Sequence, residues 1–152
     1  MKLAYFDDFK LGVVKGDGLV DVSNIVDDIP HTNSGNLMIG LIEAFDKYRP
    51  KLEATVAEGA PIPFGSLRIR PPLPKPGNID CMAVNYMENG TLKEKPKING
   101  FHKSSSAIIG NGDTMVLPDV PATIFEGEAE LGLIIGKRAS HVTESDAMNY
   151  IF

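Results

Sequence analysis

The chain of 152 residues contains a single cysteine, Cys81. One thiol excludes an intrachain disulfide framework and suits a reducing compartment. It precedes the apolar "MAV", a setting in which cysteine is packing rather than nucleophile. Positive charge is also scarce, with 15 Lys and Arg against 20 Asp and Glu, for a net charge of −5. That balance argues against a nucleic-acid partner, and no basic stripe is interleaved with aromatics. The one lysine cluster, "LKEKPK", reads as a solvated loop. No apolar run is long enough to cross a membrane, and "MKLAYFDDF" lacks the apolar region of a signal peptide. The expected location is the cytoplasm, with no membrane partner. Internal repeats and low-complexity tracts are absent as well.

What is present begins with a β-rich unit. "KLAYF", "LGVVK" and "LVDVS" read as short strands separated by the turn signals "DDFK" and "KGDG". In "NLMIGLIEAFDKYR", Leu37, Leu41, Ala44, Phe45 and Tyr48 recur on one helical face, and Pro50 is expected to stop the helix. A further helical segment, "LEATVAEG", is expected to end at Gly59 as its C-cap. The proline-rich stretch "APIPFGSLRIRPPLPKPGN" resists helix and interior strand, and reads as a linker with the strand "SLRIR" inside it. A boundary is expected there, giving a small domain over 1–72 and a second unit over 73–152. In the second unit "IDCMAVNY" reads as a strand and "MENGTLKEKPKING" as a long polar connection. "FHKSSSAIIGNGDTMVLP" reads as strand, turn and strand, and "ATIFEGEAELGLIIGKR" as a long strand or two.

The last of these segments carries the chemistry. In "FEGEAELGLIIG", Glu126, Glu128 and Glu130 alternate, so a strand would put them on one face, with Gly127, Ala129, Leu131, Leu133 and Ile135 on the other. Neighbours on that face would be roughly 6.5 to 7 Å apart at Cα, and ionising them together in a partly buried site costs free energy. Three resolutions stand open: a wet face, a carboxyl that keeps its proton, or a cation between them. The apolar run "LGLIIG" favours an interior strand. Carboxylates are the preferred ligands of hard divalent cations, of which Mg²⁺ takes one or two and keeps waters or substrate oxygens.

From "KPGNIDCMAVNY" through "FHKSSSAIIGNGDTMVLP" to "EGEAELGLIIGKRASHVTESDAMNYIF", the chain resembles the fumarylacetoacetate hydrolase family. The match is close over Pro74 to Phe152, and the first seventy residues look like the small N-terminal domain of many bacterial members. The resemblance implies an α+β, β-rich fold: a small N-terminal β/α domain, then the first part of a mixed β-roll or sandwich catalytic domain. It implies that Glu128 and Glu130, in the Glu-x-Glu-Leu pattern, ligate Mg²⁺, Mn²⁺ or Ca²⁺. The family's third ligand, an aspartate, would fall past Phe152. The implied substrate is a diketo or 2-oxo acid, cleaved at a carbon–carbon bond or isomerised, hydrated or decarboxylated, in aromatic-compound catabolism. A homodimer is expected.

One departure bears on the reaction. The family segment Asn-Tyr-x-x-His-x-x-Glu starts at Asn85 and Tyr86, but Asn89 and Leu92 stand where its histidine and glutamate belong. The hydrolytic dyad is therefore missing, and Asn85 replaces the aspartate ligand of some members. Glu88 and His102 are the candidates for a replacement base, with His102 on the strand face opposite Lys103. Lys103 matches the lysine of the family's Phe-x-Lys segment and could neutralise a substrate carboxylate as a point charge. Ser104 to Ser106 lack His and Asp partners for a triad. His31 and His141 sit in turn-like contexts and receive no role. The stretch Met87 to Gly100 is expected to cover the site. "TESDAMNYIF" reads as a helix over 144–152, capped by Thr143, with Ala147, Tyr150 and Ile151 covered by protein. Its apolar close points to a chain cut short of its full fold. The alternative to an enzyme is accordingly a non-catalytic truncated fragment with an incomplete metal site.

Overall fold

A computed structural model describes residues 1–84, 93, 94 and 96–152. Three strands, β1 (Leu3–Phe6), β2 (Lys10–Lys15) and β3 (Gly18–Asp21), form an antiparallel meander. Two helices follow, α1 (Ser34–Glu43) and α2 (Phe45–Glu58). Two short strands, β4 (Ile62–Pro63) and β5 (Ile69–Arg70), close the edges, giving the order β4-β3-β2-β1-β5. A separate hairpin pairs β6 (Ile79–Met82) with β7 (Gly100–Lys103).

Period-2 patterning explains which side of the large sheet is covered. Tyr5, Leu11, Val13, Val20 and Val22 join Leu37, Met38 and Leu41 of α1 and Tyr48 and Leu52 of α2 in one buried cluster. Burying each such aliphatic side chain contributes about 1.5 to 3 kcal/mol. The Tyr5 hydroxyl donates to the Ser34 carbonyl at 2.7 Å, and burial raises the Tyr5 pKa well above its usual value. Phe6 and Leu19 close over Gly12 on the other face. Asn33 caps α1, its side-chain oxygen accepting from the Asn36 N–H at 3.1 Å, a bond worth about 1 kcal/mol.

The expected single helix to Pro50 is instead two. The break falls at Ala44, and Pro50 lies inside α2. Pro50 is the sixth residue of α2, where it forfeits the single bond its N–H would give to the Asp46 carbonyl while the rest of the helix continues. Phe45 and Tyr48 still reach the core, as the spacing predicts. Gly59 does follow α2, but with extended backbone, φ −69° and ψ 140°. The glycine is there for space, because a Cβ would meet Val20 Cγ1 at 2.4 Å and the Thr55 carbonyl oxygen at 2.9 Å.

Beyond β7 the expected regular structure is largely missing. Residues 114–117 and 121–134 have no assigned secondary structure, and Met115, Val116, Ile124, Leu131 and Leu133 are exposed. The interior strand expected from "LGLIIG" is therefore not formed. A strand is stabilised by a neighbour, and among the described residues none pairs with 121–133. Only Ile135 is bridged, to Ile151, flanked by Gly136 N–H to Tyr150 carbonyl at 2.7 Å and Phe152 N–H to Ile134 carbonyl at 2.8 Å. The final helix is of the tighter 3-10 kind, Glu144–Tyr150. Ala147 is exposed while Tyr150 and Ile151 are half-buried, so the expected cover reaches the close of this helix and not its middle. Phe152 packs edge-on against Phe45 at 4.8 Å.

Arg68 and Asp113 join the large sheet to the Gly110–Asp113 turn, with Arg68 Nη2 donating to Asp113 Oδ1 at 2.8 Å. Asp113 Oδ2 also accepts from the Gly110 N–H at 2.8 Å. The Arg68 hydrogen bond, then the Gly110 amide, hold the Asp113 pKa below its usual value. Among the described residues no helix is long and apolar enough to cross a membrane.

Candidate active site

The β6–β7 hairpin positions the predicted residues through its register. Ile79 faces Lys103, Asp80 faces His102, Cys81 faces Phe101 and Met82 faces Gly100. Side chains alternate, so Phe101 and Lys103 share one face and His102 takes the other, as the alternation in the sequence predicts. Directly opposed residues of an antiparallel pair have Cβ atoms about 4.5 to 5.5 Å apart, close enough for polar tips to meet. Asp80 Oδ1 lies 2.6 Å from His102 Nδ1.

This arrangement gives His102 a side-chain partner, Asp80, that motif reading missed. Its signal was available only through the register, because 22 positions of chain separate it from His102. An aspartate at Nδ1 holds the ring with its proton there and leaves Nε2 as a proton acceptor. Both side chains are largely exposed, so the pair is open to solvent.

On the opposite face Lys103 reaches across to the glutamate segment. Its Nζ lies 3.5 Å from Glu130 Oε1 and 5.8 Å from the Phe101 ring centroid. Both partners are about half-exposed, at 51% for Lys103 and 45% for Glu130. Glu126 and Glu128 are exposed on the same irregular segment. The structure thus brings Lys103 and Glu130 together and points His102 away from them. Glu88 lies outside the described residues, as do Asn85, Tyr86, Asn89 and Leu92 and half of the expected cover over Met87 to Gly100.

His31, His141, Ser104 and Ser106 each have a partner close in sequence. His31 Nδ1 is 2.7 Å from the Ile29 carbonyl, and His141 Nδ1 is 2.9 Å from Ser140 Oγ. Ser104 Oγ and Ser106 Oγ are 2.7 Å apart at the start of a one-turn 3-10 helix, Ser105–Ala107. Two open clefts lie elsewhere, one between β2 and α2 beside Lys15 and Glu53, the other beside Pro30, His31 and Asn36.

Among the described residues no group of three or more His, Cys, Asp or Glu is close enough to hold a metal ion. The donor chemistry of Glu128 and Glu130 nevertheless fits a hard divalent cation in kind. Both offer carboxylate oxygens, and two carboxylates are a number such a cation accepts when waters or substrate complete its shell. In this structure the cation beside Glu130 is the Lys103 ammonium.

Comparisons with known proteins bear on the same segment. The family described as fumarylacetoacetate (FAA) hydrolase C-terminal matches residues 78–152. A maleylpyruvate hydrolase of Aquipseudomonas alcaligenes is 26% identical over 169 residues, covering 99% of this chain and 58% of that protein. A mitochondrial oxaloacetate tautomerase of Rattus norvegicus is 27% identical, covering 90% of this chain and 43% of that one. In three dimensions the whole chain superposes on the maleylpyruvate hydrolase of Sphingobium sp. SYK-6, solved with manganese(II) and pyruvate. The TM-score is 0.83 and the identity 34%, over 55% of that structure. The mixed α+β, sheet-rich fold expected from the sequence matches that neighbour. The chain spans about half the length of these relatives.

Proposed function

The chain belongs, over residues 78–152, to the fumarylacetoacetate hydrolase family, and from that premise we propose that it forms part of a divalent-metal-dependent enzyme acting on a 2-oxo or diketo acid. In this reading residues 1–72 are a small accessory domain, and 73–152 supply the catalytic unit. The metal is Mn²⁺, Mg²⁺ or Ca²⁺, held by Glu128 and Glu130. When bound, it supplies Lewis acidity to a chelated 2-oxo-acid unit. The observation that supports the reading most is the meeting of Lys103 with Glu130 at 3.5 Å. In this reading a cation for the substrate carboxylate stands beside an oxygen donor for the metal, where the glutamate segment meets the Lys103 face of the hairpin.

The chain's own residues have separable tasks. Lys103 binds the substrate carboxylate as a mobile point charge on a four-carbon stem. Phe101 offers its ring as a flanking surface for the ammonium. Of the two candidates for the base, His102 looks away from Lys103, and Glu88 lies outside the described residues. His102, oriented by Asp80, accepts protons at Nε2 on the far side of the ribbon. The natural setting is breakdown of aromatic compounds in the cytoplasm, by a homodimer.

A second reading is a tautomerase or isomerase that cleaves no carbon–carbon bond. Asn89 and Leu92 at the family's His and Glu positions favour it, as does the outward turn of His102. Release of pyruvate from maleylpyruvate, set against enol–keto exchange of oxaloacetate, separates the two on the full-length protein. Glu128→Ala in that protein is expected to lower turnover by more than about 100-fold, beyond what outer-shell partners of a metal cost. Near-normal turnover with an unchanged metal requirement would reject the ligand role.

A further inference from the structure

Lys103 has two demands on one charge. In the structure its ammonium balances Glu130 at 3.5 Å, on a segment that also carries Glu126 and Glu128. A divalent cation arriving at Glu130 would take over that task. Ammonium and metal would then be like charges a few ångströms apart, which disfavours both staying. The lysine is half-exposed on a flexible stem, with the Phe101 ring 5.8 Å away as a second resting place.

Resting on the metal reading given under Proposed function, we infer that Lys103 is an exchangeable counter-ion. It occupies Glu130 before the metal binds, and passes to the substrate carboxylate once the metal has displaced it. Metal and carboxylate binding are thereby coupled through one ammonium. Without metal, Lys103 is engaged and the carboxylate finds no free cation. With metal, the same group is released where the carboxylate must bind. Such coupling is reciprocal, so a 2-oxo acid should also tighten the metal.

The inference has a signature of opposite signs. Removing the charge, Lys103→Met, should tighten Mn²⁺ binding about two- to fivefold, the range a partly exposed ion pair is worth. The same change should weaken pyruvate binding to the Mn²⁺-loaded protein roughly tenfold or more, since a charge-assisted hydrogen bond is lost. A lysine that only binds substrate would give the second effect alone. A surface lysine would give neither.

The experiment is a Mn²⁺ titration of the full-length protein followed by electron paramagnetic resonance. Calorimetric titration of pyruvate into the Mn²⁺-loaded protein completes it. The proteins compared are wild type, Lys103→Met, Lys103→Arg and Glu130→Gln. Lys103→Arg keeps the charge and should return both affinities toward wild type, which guards against a folding defect in Lys103→Met. Equal or weaker Mn²⁺ binding by Lys103→Met, with binding lost in Glu130→Gln, overturns the counter-ion role and leaves the metal reading intact. Failure of the wild-type protein to bind Mn²⁺ overturns both.

Discussion

Leu52 in α2 is fully buried, while Leu131, in a run at least as apolar, is 81% exposed. The same contrast runs through the molecule. Residues 5–52 supply every buried hydrophobic side chain described except Cys81, whereas most of the large exposed ones lie after residue 97. The two regions do not differ in apolar patterning so much as in what lies across from it. The early strands find one another through two tight turns, and two helices follow immediately to cover them. The segment around Glu128 has a strand's alternation but no neighbour among the described residues to complete its hydrogen bonds. An unpaired strand loses its backbone partners and its cover together. A strand pattern is therefore a statement about a pair, and only one half of that pair is local.

The strongest test of this contrast is to truncate both leucines. Leu52→Ala should lower unfolding stability by about 2 to 5 kcal/mol, and Leu131→Ala by less than about 0.5 kcal/mol, measured by urea denaturation of the 152-residue chain. A comparable loss for Leu131→Ala would mean that the glutamate segment is buried in solution, and the contrast would collapse. A smaller effect is expected at the junction of α2 and the sheet. Gly59→Ala should cost about 1 to 3 kcal/mol, because its Cβ must displace Val20 Cγ1 from 2.4 Å. No loss in the same denaturation series would show that helix and sheet are less closely packed than described.

The smallest effect concerns the tie between the two regions. Asp113 is held below its usual pKa by Arg68 and the Gly110 amide. For a carboxylate with a depressed folded value, the contribution is fully present above the unfolded value of about 3.9. It is lost as pH falls through the lower folded value. The Gly110 amide resonance, followed by NMR, should therefore titrate with a midpoint below about 3.9. Asp113→Asn should remove that titration with little change in global stability. A midpoint above the ordinary aspartate range would break the assigned tie.

How much of this was legible in advance depends on the range of the interaction. The three-strand meander and the helical face from Leu37 to Tyr48 follow from patterns within about fifteen residues, and they stand in the structure. The opposite facing of His102 and Lys103 follows from the period of a strand and needs no partner. The split at Ala44 and the place of Pro50 inside α2 were not legible, since they go with the packing of Tyr48 and Leu52 into a core shared with the distant strands. Asp80 was missed for the same reason: only the pairing of β6 with β7 puts it opposite His102.

The sequence by itself determined the alternation of Glu126, Glu128 and Glu130, the apolar faces of the early elements, and the Glu-x-Glu-Leu pattern shared with the family. Each is a property of neighbouring residues, set by backbone geometry and side-chain chemistry. Tertiary structure alone decided which of these patterns became ordered elements, that Lys103 meets Glu130, and that Asp80 meets His102. The reason is that burial, pairing and charge contact are energies between distant positions, and they exist only once the chain has brought those positions together.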